Sequence, residues 1–239
     1  MKRTVPAPLL LFWFFSVAPA EAQSFALRFQ PVFQQKNVVL DTPLRTAAGD
    51  SLALHTLRLY LCNFVFLKNG TAVWAENDSH HLLDLEDTST LTLRFEMPVG
   101  AGFDEIKFDL GVDSLTNVSG ALGGDLDPTK GMYWTWQSGY INAKIEGFFE
   151  RSTARNREFQ FHLGGYLPPF RAVQAVKVGR VQNPSDLRDT NPSDLRIDFD
   201  LAPFFEKIDW AKRHSIMSPS AEAVRLSEVL AKSFSIHAK

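Results

Sequence analysis

Cysteine is almost absent from this sequence, which has one, Cys62, in 239 residues. A single cysteine excludes an intramolecular disulfide, so the apolar core alone must hold the fold together. Cys62 lies in an apolar segment with the pattern of a strand, where a free thiol behaves as a small hydrophobic side chain. We therefore predict a buried, unreactive thiol, and a metal ligand is the less favoured alternative.

A strong charge of either sign is also missing. The 25 basic and 27 acidic residues give a formal net charge of −2. This balance offers no attraction for nucleic acid or for an anionic membrane surface. We therefore expect neither as a partner.

Recognised catalytic motifs are absent as well. The sequence contains no nucleophile elbow, phosphate-binding loop, zinc-protease helix or cysteine pair, so a hydrolase has no supporting residues. Two acidic runs, residues 84–87 and 125–127, lack the spacing of an EF-hand. We predict that their carboxylates are turn residues and not calcium ligands.

The most apolar run stands at the N-terminus. A basic start at residues 1–3 precedes apolar residues 5–17, and the small residues at 18–22 have the spacing that signal peptidase reads. The run is shorter than the roughly 20 residues of a membrane-spanning helix, which disfavours the alternative of an uncleaved anchor. Cleavage after Ala22 would leave Gln23 as the first residue of a soluble periplasmic or extracellular chain. Residues 23–239 suit one domain.

Short apolar runs separated by turn residues recur through the rest of the chain. They are rich in β-branched and aromatic side chains, and Gly, Asn, Asp or Pro stands between them, which is typical of a sandwich. We predict an all-β fold, a single antiparallel β-sandwich. Its strands are predicted at residues 25–29, 57–67, 71–74, 91–95, 105–110, 140–148, 158–163 and 172–178.

Three local patterns refine this picture. Asn69-Gly70 favours a hairpin turn because both residues accept positive φ, so residues 57–74 are predicted as a β-hairpin. Residues 183–188 return as residues 191–196, each copy opening with Asn-Pro, and predict a duplicated surface loop before a strand. Residues 220–234 carry apolar side chains at helical intervals and predict a C-terminal helix.

The densest aromatic segment runs from Met132 to Tyr140. Within it, Trp134 and Trp136 would lie on one face if the chain is extended there. Two large rings between glycines suit a plug of the core, which composition alone favours. A sugar-stacking platform and an oxidisable, electron-rich site are the open alternatives.

Six histidines are distributed over the chain, and four have suggestive neighbours: His80 and His81 before Leu82-Leu83-Asp84, His162 before Leu163-Gly164, and His214 before Ser215-Ile216-Met217. Imidazole and thioether ligands suit copper. Any one histidine alone is more often a hydrogen-bonded core or loop residue than a ligand.

Several of these segments together resemble a known family. They are Gly131-Met132-Tyr133-Trp134-Thr135-Trp136-Gln137-Ser138-Gly139-Tyr140, Lys144-Ile145-Glu146-Gly147, Phe161-His162-Leu163-Gly164, Leu61-Cys62-Asn63-Phe64, His81-Leu82-Leu83-Asp84 and His214-Ser215-Ile216-Met217. The resemblance is to the MbnP-like family of exported proteins. These are related to the methanobactin-associated periplasmic copper-binding protein and to the copper-repressible surface proteins of methanotrophs.

This resemblance implies a mononuclear copper site built from histidines, with a tryptophan oxidised to kynurenine by a partner dihaem enzyme of the cytochrome c peroxidase type. The matching residues are His81, His162, His214, Trp134 and Trp136. The chain would then bind copper for acquisition, buffering or delivery, and it would be the substrate of an enzyme and not an enzyme itself. A β-sandwich module that binds carbohydrate or protein without metal is the alternative. A neighbouring gene with two Cys-x-x-Cys-His haem sites would favour copper.

Overall fold

Two β-sheets account for most of the chain in the computed structural model, which describes residues 22–99, 102–136, 139–179 and 194–236. Residues 1–21 of the predicted signal segment and most of the duplicated tract lie outside this part. The strands are β1 (Ala22–Phe33), β2 (Lys36–Asn37), β3 (Leu44–Arg45), β4 (Ser51–Lys68), β5 (Thr71–Ala75), β6 (His80–Asp84), β7 (Thr92–Pro98), β8 (Glu105–Leu110), β9 (Tyr133–Trp134), β10 (Gly139–Phe149), β11 (Glu158–Gly164), β12 (Gln174–Gly179), β13 (Asp194–Asp200), β14 (Ser215–Ile216) and β15 (Phe234–Ile236). All eight predicted strands are confirmed.

The smaller sheet is organised around β1. On one side β13 runs parallel to β1 and pairs in turn with antiparallel β15, and both β7 and β2 pair antiparallel with β1. The parallel register joins Ala26 to Asp194 and Val32 to Asp200. Because β1 and β13 are far apart in sequence, this pair connects early and late parts of the described chain.

The larger sheet follows the order β12-β8-β4-β10-β11-β14. The long strand β4 also pairs with β3, β5 and β6, and β9 pairs with the beginning of β10. The short β14 runs parallel to β11, whereas the other pairs are antiparallel. The prediction of an all-β fold is therefore confirmed, but each sheet is mixed and not purely antiparallel. Alternating side chains specify a buried face and leave the direction of the partner strand open.

The predicted hairpin is confirmed between β4 and β5. Its turn is formed by Asn69 and Gly70, which have φ of 50° and 78°. Lys68 pairs with Thr71 at the turn and Phe66 pairs with Trp74 further along. Both turn residues occupy the left-handed region that Asn and Gly tolerate best.

The main core lies between the two sheets and is largely aromatic. Phe29 of β1 meets Phe64 of β4 and Phe108 of β8 at ring-centroid distances of 6.3 and 5.9 Å.

The predicted C-terminal helix is confirmed as α3 (Ala221–Ala231), and the Ser220 side chain caps it by accepting a hydrogen bond from the Ala223 amide. Two shorter helices, α1 (Ser114–Val118) and α2 (Ala202–Glu206), and 3-10 turns at residues 88–91, 124–126, 128–130 and 155–157 complete the described structure.

A second, smaller core covers the outer face of the larger sheet. It comprises Tyr60, Cys62, Leu82, Val112, Leu126, Met132, Trp134, Tyr140 and Ile141. Cys62 is fully buried and free, which confirms its prediction, and burial raises the pKa of its thiol well above the usual value. Among the described helices, none has the length and apolar character needed to cross a membrane.

Candidate functional site

Trp134 and Trp136 form one contacting pair of tilted indole rings. Their ring centroids lie 5.7 Å apart with an interplanar angle of 42°. Strand β9 ends at Trp134, so the rings meet across a turn and not along an extended strand as predicted. Their exposure differs sharply, at 5% for Trp134 and 65% for Trp136. The core-plug interpretation therefore fits Trp134 alone.

The Trp134 ring packs directly over Gly164 on the outer face of the larger sheet, because glycine has no side chain to occupy that space. A β-carbon on Gly164 would lie 2.7 Å from Cζ3 of the indole, which is closer than atoms can pack. The indole Nε1 is buried and has no hydrogen-bond partner. A buried N–H without an acceptor is rare in folded proteins, and it singles out this ring as a candidate site.

His162 lies on the same face of the same strand as Gly164, two residues before it. Phe161 and Leu163 on either side of it belong to the main core, so alternation along β11 turns the imidazole to the outer face. Its Nε2 lies 2.6 Å from Oε1 of Glu146 on the neighbouring β10. The register that pairs Lys144 with His162 puts Glu146 within reach.

The donor and acceptor roles in this pair follow from its geometry. The hydrogen bond from His162 holds the pKa of Glu146 below its usual value, against the effect of burial and with further help from Lys144. An ionised carboxylate can only accept, so Nε2 donates to it. In a neutral imidazole Nδ1 then presents a lone pair, and this atom is buried without a hydrogen-bond partner. The His162 ring is thus held in one orientation, and the lone pair of its Nδ1 is free to bind a metal.

The other two predicted histidines lie in different surroundings. His81 hydrogen-bonds through Nε2 to Glu76 at 2.8 Å, and its ring packs against Phe64 and Phe95 of the main core. His214 precedes β14, and its Nδ1 lies 3.4 Å from the Thr153 hydroxyl. Across residues 22–99, 102–136, 139–179 and 194–236, no three His, Cys, Asp or Glu side chains are grouped to hold a metal ion.

Comparisons with known proteins bear on this arrangement. A family model described as MbnP matches residues 22–218. The chain belongs to the MbnP family. A solved structure, MbnP from Methylosinus trichosporium, is similar to it with a TM-score of 0.59 at 22% sequence identity, covering 85% of this chain and 87% of that one. At this identity the likeness shows the shared fold. A search of the curated proteins finds no match.

The acidic runs of this MbnP family member serve its turns, as predicted. Glu86 accepts a hydrogen bond from the Arg58 guanidinium at 2.7 Å, and Asp84 accepts from the Glu86 amide at 3.0 Å. Asp125 accepts from Lys130 Nζ at 2.6 Å. The Asp84 and Asp125 contacts lie within their own turns, and Glu86 connects its turn to β4.

Sequence reasoning missed two residues of the site, Glu146 and Gly164, although both stood in quoted motifs. The signal for Glu146 was present in the alternation of β10. Polar Lys144 and Glu146 alternate with apolar residues along β10, next to the polar His162 of the neighbouring strand. No local signal marks Gly164, because its role depends on a ring from a distant segment.

Replacing Glu146 with glutamine should change how stability depends on pH. A carboxyl whose folded pKa is lowered stabilises the fold above its unfolded pKa, near 4.5, and this stabilisation is lost as pH falls through the folded value. The variant should therefore be less stable than the parent near neutral pH, by about 1 kcal/mol. The difference should shrink in acid. Lys144 and the Thr56 hydroxyl face the same carboxylate and stay in place.

Urea unfolding of parent and variant in neutral and acidic buffer measures this difference. The matched control is Glu96→Gln on β7, where the side chain is exposed. A Glu146→Gln difference that stays constant down to acid pH would contradict the lowered pKa.

Proposed function

We propose that this chain is an exported copper-binding protein, acting in copper acquisition, buffering or delivery in the periplasm or at the cell surface. The observation that carries the proposal is the buried His162, with Nε2 on Glu146 and a free Nδ1. Histidines that ligate metals usually donate their other ring N–H to a carboxylate in this way, which fixes the tautomer and the ring orientation. Imidazole is a good ligand for copper in both oxidation states.

Trp134 is the second part of the proposed site. As an indole it has no lone pair to offer a metal. Oxidative opening of the ring would leave an aryl amine and a ketone in its place, with one carbon lost and one oxygen gained. These donor atoms would arise on the outer face of the larger sheet, about 7 Å along β11 from His162, since Trp134 rests on Gly164. His162 and the opened ring together would supply the donors, with His81 and His214 outside this set.

A partner enzyme is required for that oxidation, and we propose an exported dihaem enzyme of the cytochrome c peroxidase type. Exposed apolar side chains on segments bonded to one another and to β10 support a docking partner. Leu115 and Val118 on α1 and Leu167 are exposed. Hydrogen bonds tie their segments to one another and to β10, from the Ser114 hydroxyl to the Tyr166 carbonyl and from the Tyr140 amide to the Asn117 side chain. Exposed apolar patches of this kind mark interaction surfaces.

Anaerobic titration with Cu(I) tests the proposal on protein produced with and without the dihaem partner. Material produced with the partner should show the mass change from tryptophan to kynurenine at Trp134, and it should bind one equivalent of copper more tightly than unmodified material. His162→Ala should weaken binding by about tenfold or more. The matched controls are His81→Ala and His214→Ala, which should change it less.

Two results would overturn this proposal. One is copper binding that is absent from both preparations. The other is binding that His162→Ala leaves intact while His81→Ala or His214→Ala removes it.

A binding module without metal is the second candidate, favoured by the exposure of Trp136. An exposed indole can stack on a sugar ring or anchor a protein partner. In this case Trp136→Ala would abolish retention on a polysaccharide or partner column, and His162→Ala would have no effect on it.

A further inference from the structure

The contacting pair of Trp134 and Trp136 joins the inside of the protein to its surface. Trp134 is 5% exposed and Trp136 is 65% exposed, with ring centroids 5.7 Å apart. A large reagent or a protein partner can therefore touch Trp136, whereas Trp134 is shielded from it. Between the rings the distance is that of direct aromatic contact.

The other described tryptophans have no such connection. Trp74 packs on Phe66 and Phe95 at 5.5 and 5.9 Å, and Trp210 packs on Phe149 at 3.9 Å. Their ring neighbours are phenylalanines, which are harder to oxidise than indole. Within the described residues, 134 and 136 form the one indole-to-indole contact.

We propose that Trp136 is an electron relay through which Trp134, the ring that becomes modified, is oxidised from the surface. This inference rests on the proposed function, in which an external enzyme oxidises one of the two rings. Trp136 gives one electron to a one-electron oxidant at the surface, and Trp134 gives one electron to Trp136. The sum is one electron moved from Trp134 to the oxidant, which is reduced, and Trp136 is restored.

The buried end of the pair is where the modification would form. The Nε1 proton of Trp134 has no acceptor within hydrogen-bond distance, so it stays on the ring after the electron leaves. Holding that positive charge away from water is costly, so chemistry on the ring completes the oxidation: addition of one water, loss of two protons and a second electron passed through Trp136 to the oxidant add one oxygen to Trp134. Trp136, in contrast, is returned to its starting state after each electron and is spared.

Light-generated tris(bipyridine)ruthenium(III), with a cobalt(III) ammine as the final electron acceptor, is a one-electron oxidant too bulky to reach a buried ring. The intact protein is irradiated in aerated buffer without copper and without a dihaem enzyme, and peptide mapping locates the added oxygen. In the parent, modification should appear at Trp134. Trp136→Phe should lose this product, while modification at Trp74 and Trp210 stays at the parent level.

Trp134→Phe is the second variant. It should shift the modification onto Trp136, because no neighbouring indole can return an electron to the oxidised Trp136. Thermal unfolding of both variants checks that they fold. The relay is overturned if Trp136→Phe leaves Trp134 as strongly modified as in the parent, or if the parent is modified at Trp136 alone.

The outcome is independent of the metal. Failure to bind copper in the titration above would remove the proposed function and leave the relay standing. If the protein binds copper but the irradiation experiment contradicts the relay, the proposed function stands and the relay is rejected.

Discussion

Replacing Gly147 with alanine is expected to destabilise the protein more than any other single methyl group added to the larger sheet. A β-carbon at this position would lie 2.0 Å from the Ala53 carbonyl oxygen and 3.0 Å from the Leu54 α-carbon. Both are backbone atoms of β4, so neither can rotate away. The crowding arises at a bulge, where β4 carries the extra residue His55 between its pairs with Glu146 and Gly147.

The strands must separate to admit the new methyl group, which breaks the central β4–β10 pairing. We expect a loss of about 3 kcal/mol or more in the free energy of unfolding, or roughly 10 °C in melting temperature. Gly102→Ala is the matched control, because no atom lies within 4 Å of a β-carbon there and its φ is outside the left-handed range. A Gly147→Ala protein as stable as the control would show that the two strands are further apart than described.

Replacing Gly164 with alanine is expected to have the second-largest effect, and this one reaches the candidate site. The new β-carbon would lie 2.7 and 2.9 Å from Cζ3 and Cη2 of Trp134, and 2.9 Å from the Tyr140 carbonyl oxygen. Because the carbonyl belongs to the backbone of β10, the indole is the group that moves. We expect it to move away from the sheet.

This displacement should cost about 2 kcal/mol of stability and should weaken copper binding by the oxidised protein by about tenfold. Tryptophan fluorescence should shift to longer wavelength as Trp134 meets water. The same Gly102→Ala protein serves as control. If copper affinity and fluorescence stay at their parent values, the position of Trp134 over β11 does not matter to the site.

Together these variants separate two uses of glycine in one sheet. Gly147 allows two strands to approach, and Gly164 makes room for a ring from another segment. The first position serves the fold, and the second connects the fold to His162. A protein that loses copper binding through Gly164→Ala while remaining folded would place the function in the Trp134 and His162 region of the outer face.

Most local structure was predictable because its causes are local. The Asn69-Gly70 turn follows from the φ angles that these residues accept, and α3 follows from apolar spacing and the Ser220 cap. The parallel pairing of β1 with β13 was not predictable. Its register joins residues such as Ala26 and Asp194 that are far apart in sequence, and alternation along a strand is the same for either partner direction.

The sequence by itself determined an all-β domain, a buried Cys62, the family and a short set of candidate histidines and tryptophans. Only the tertiary structure decided that Trp134 is buried while Trp136 is exposed, and that His162 has a carboxylate partner and a free Nδ1. The physical reason is that burial and hydrogen-bond partners depend on contacts between strands. The register of β10 against β11 brings Glu146 to His162, and that register is set by packing of the whole sheet.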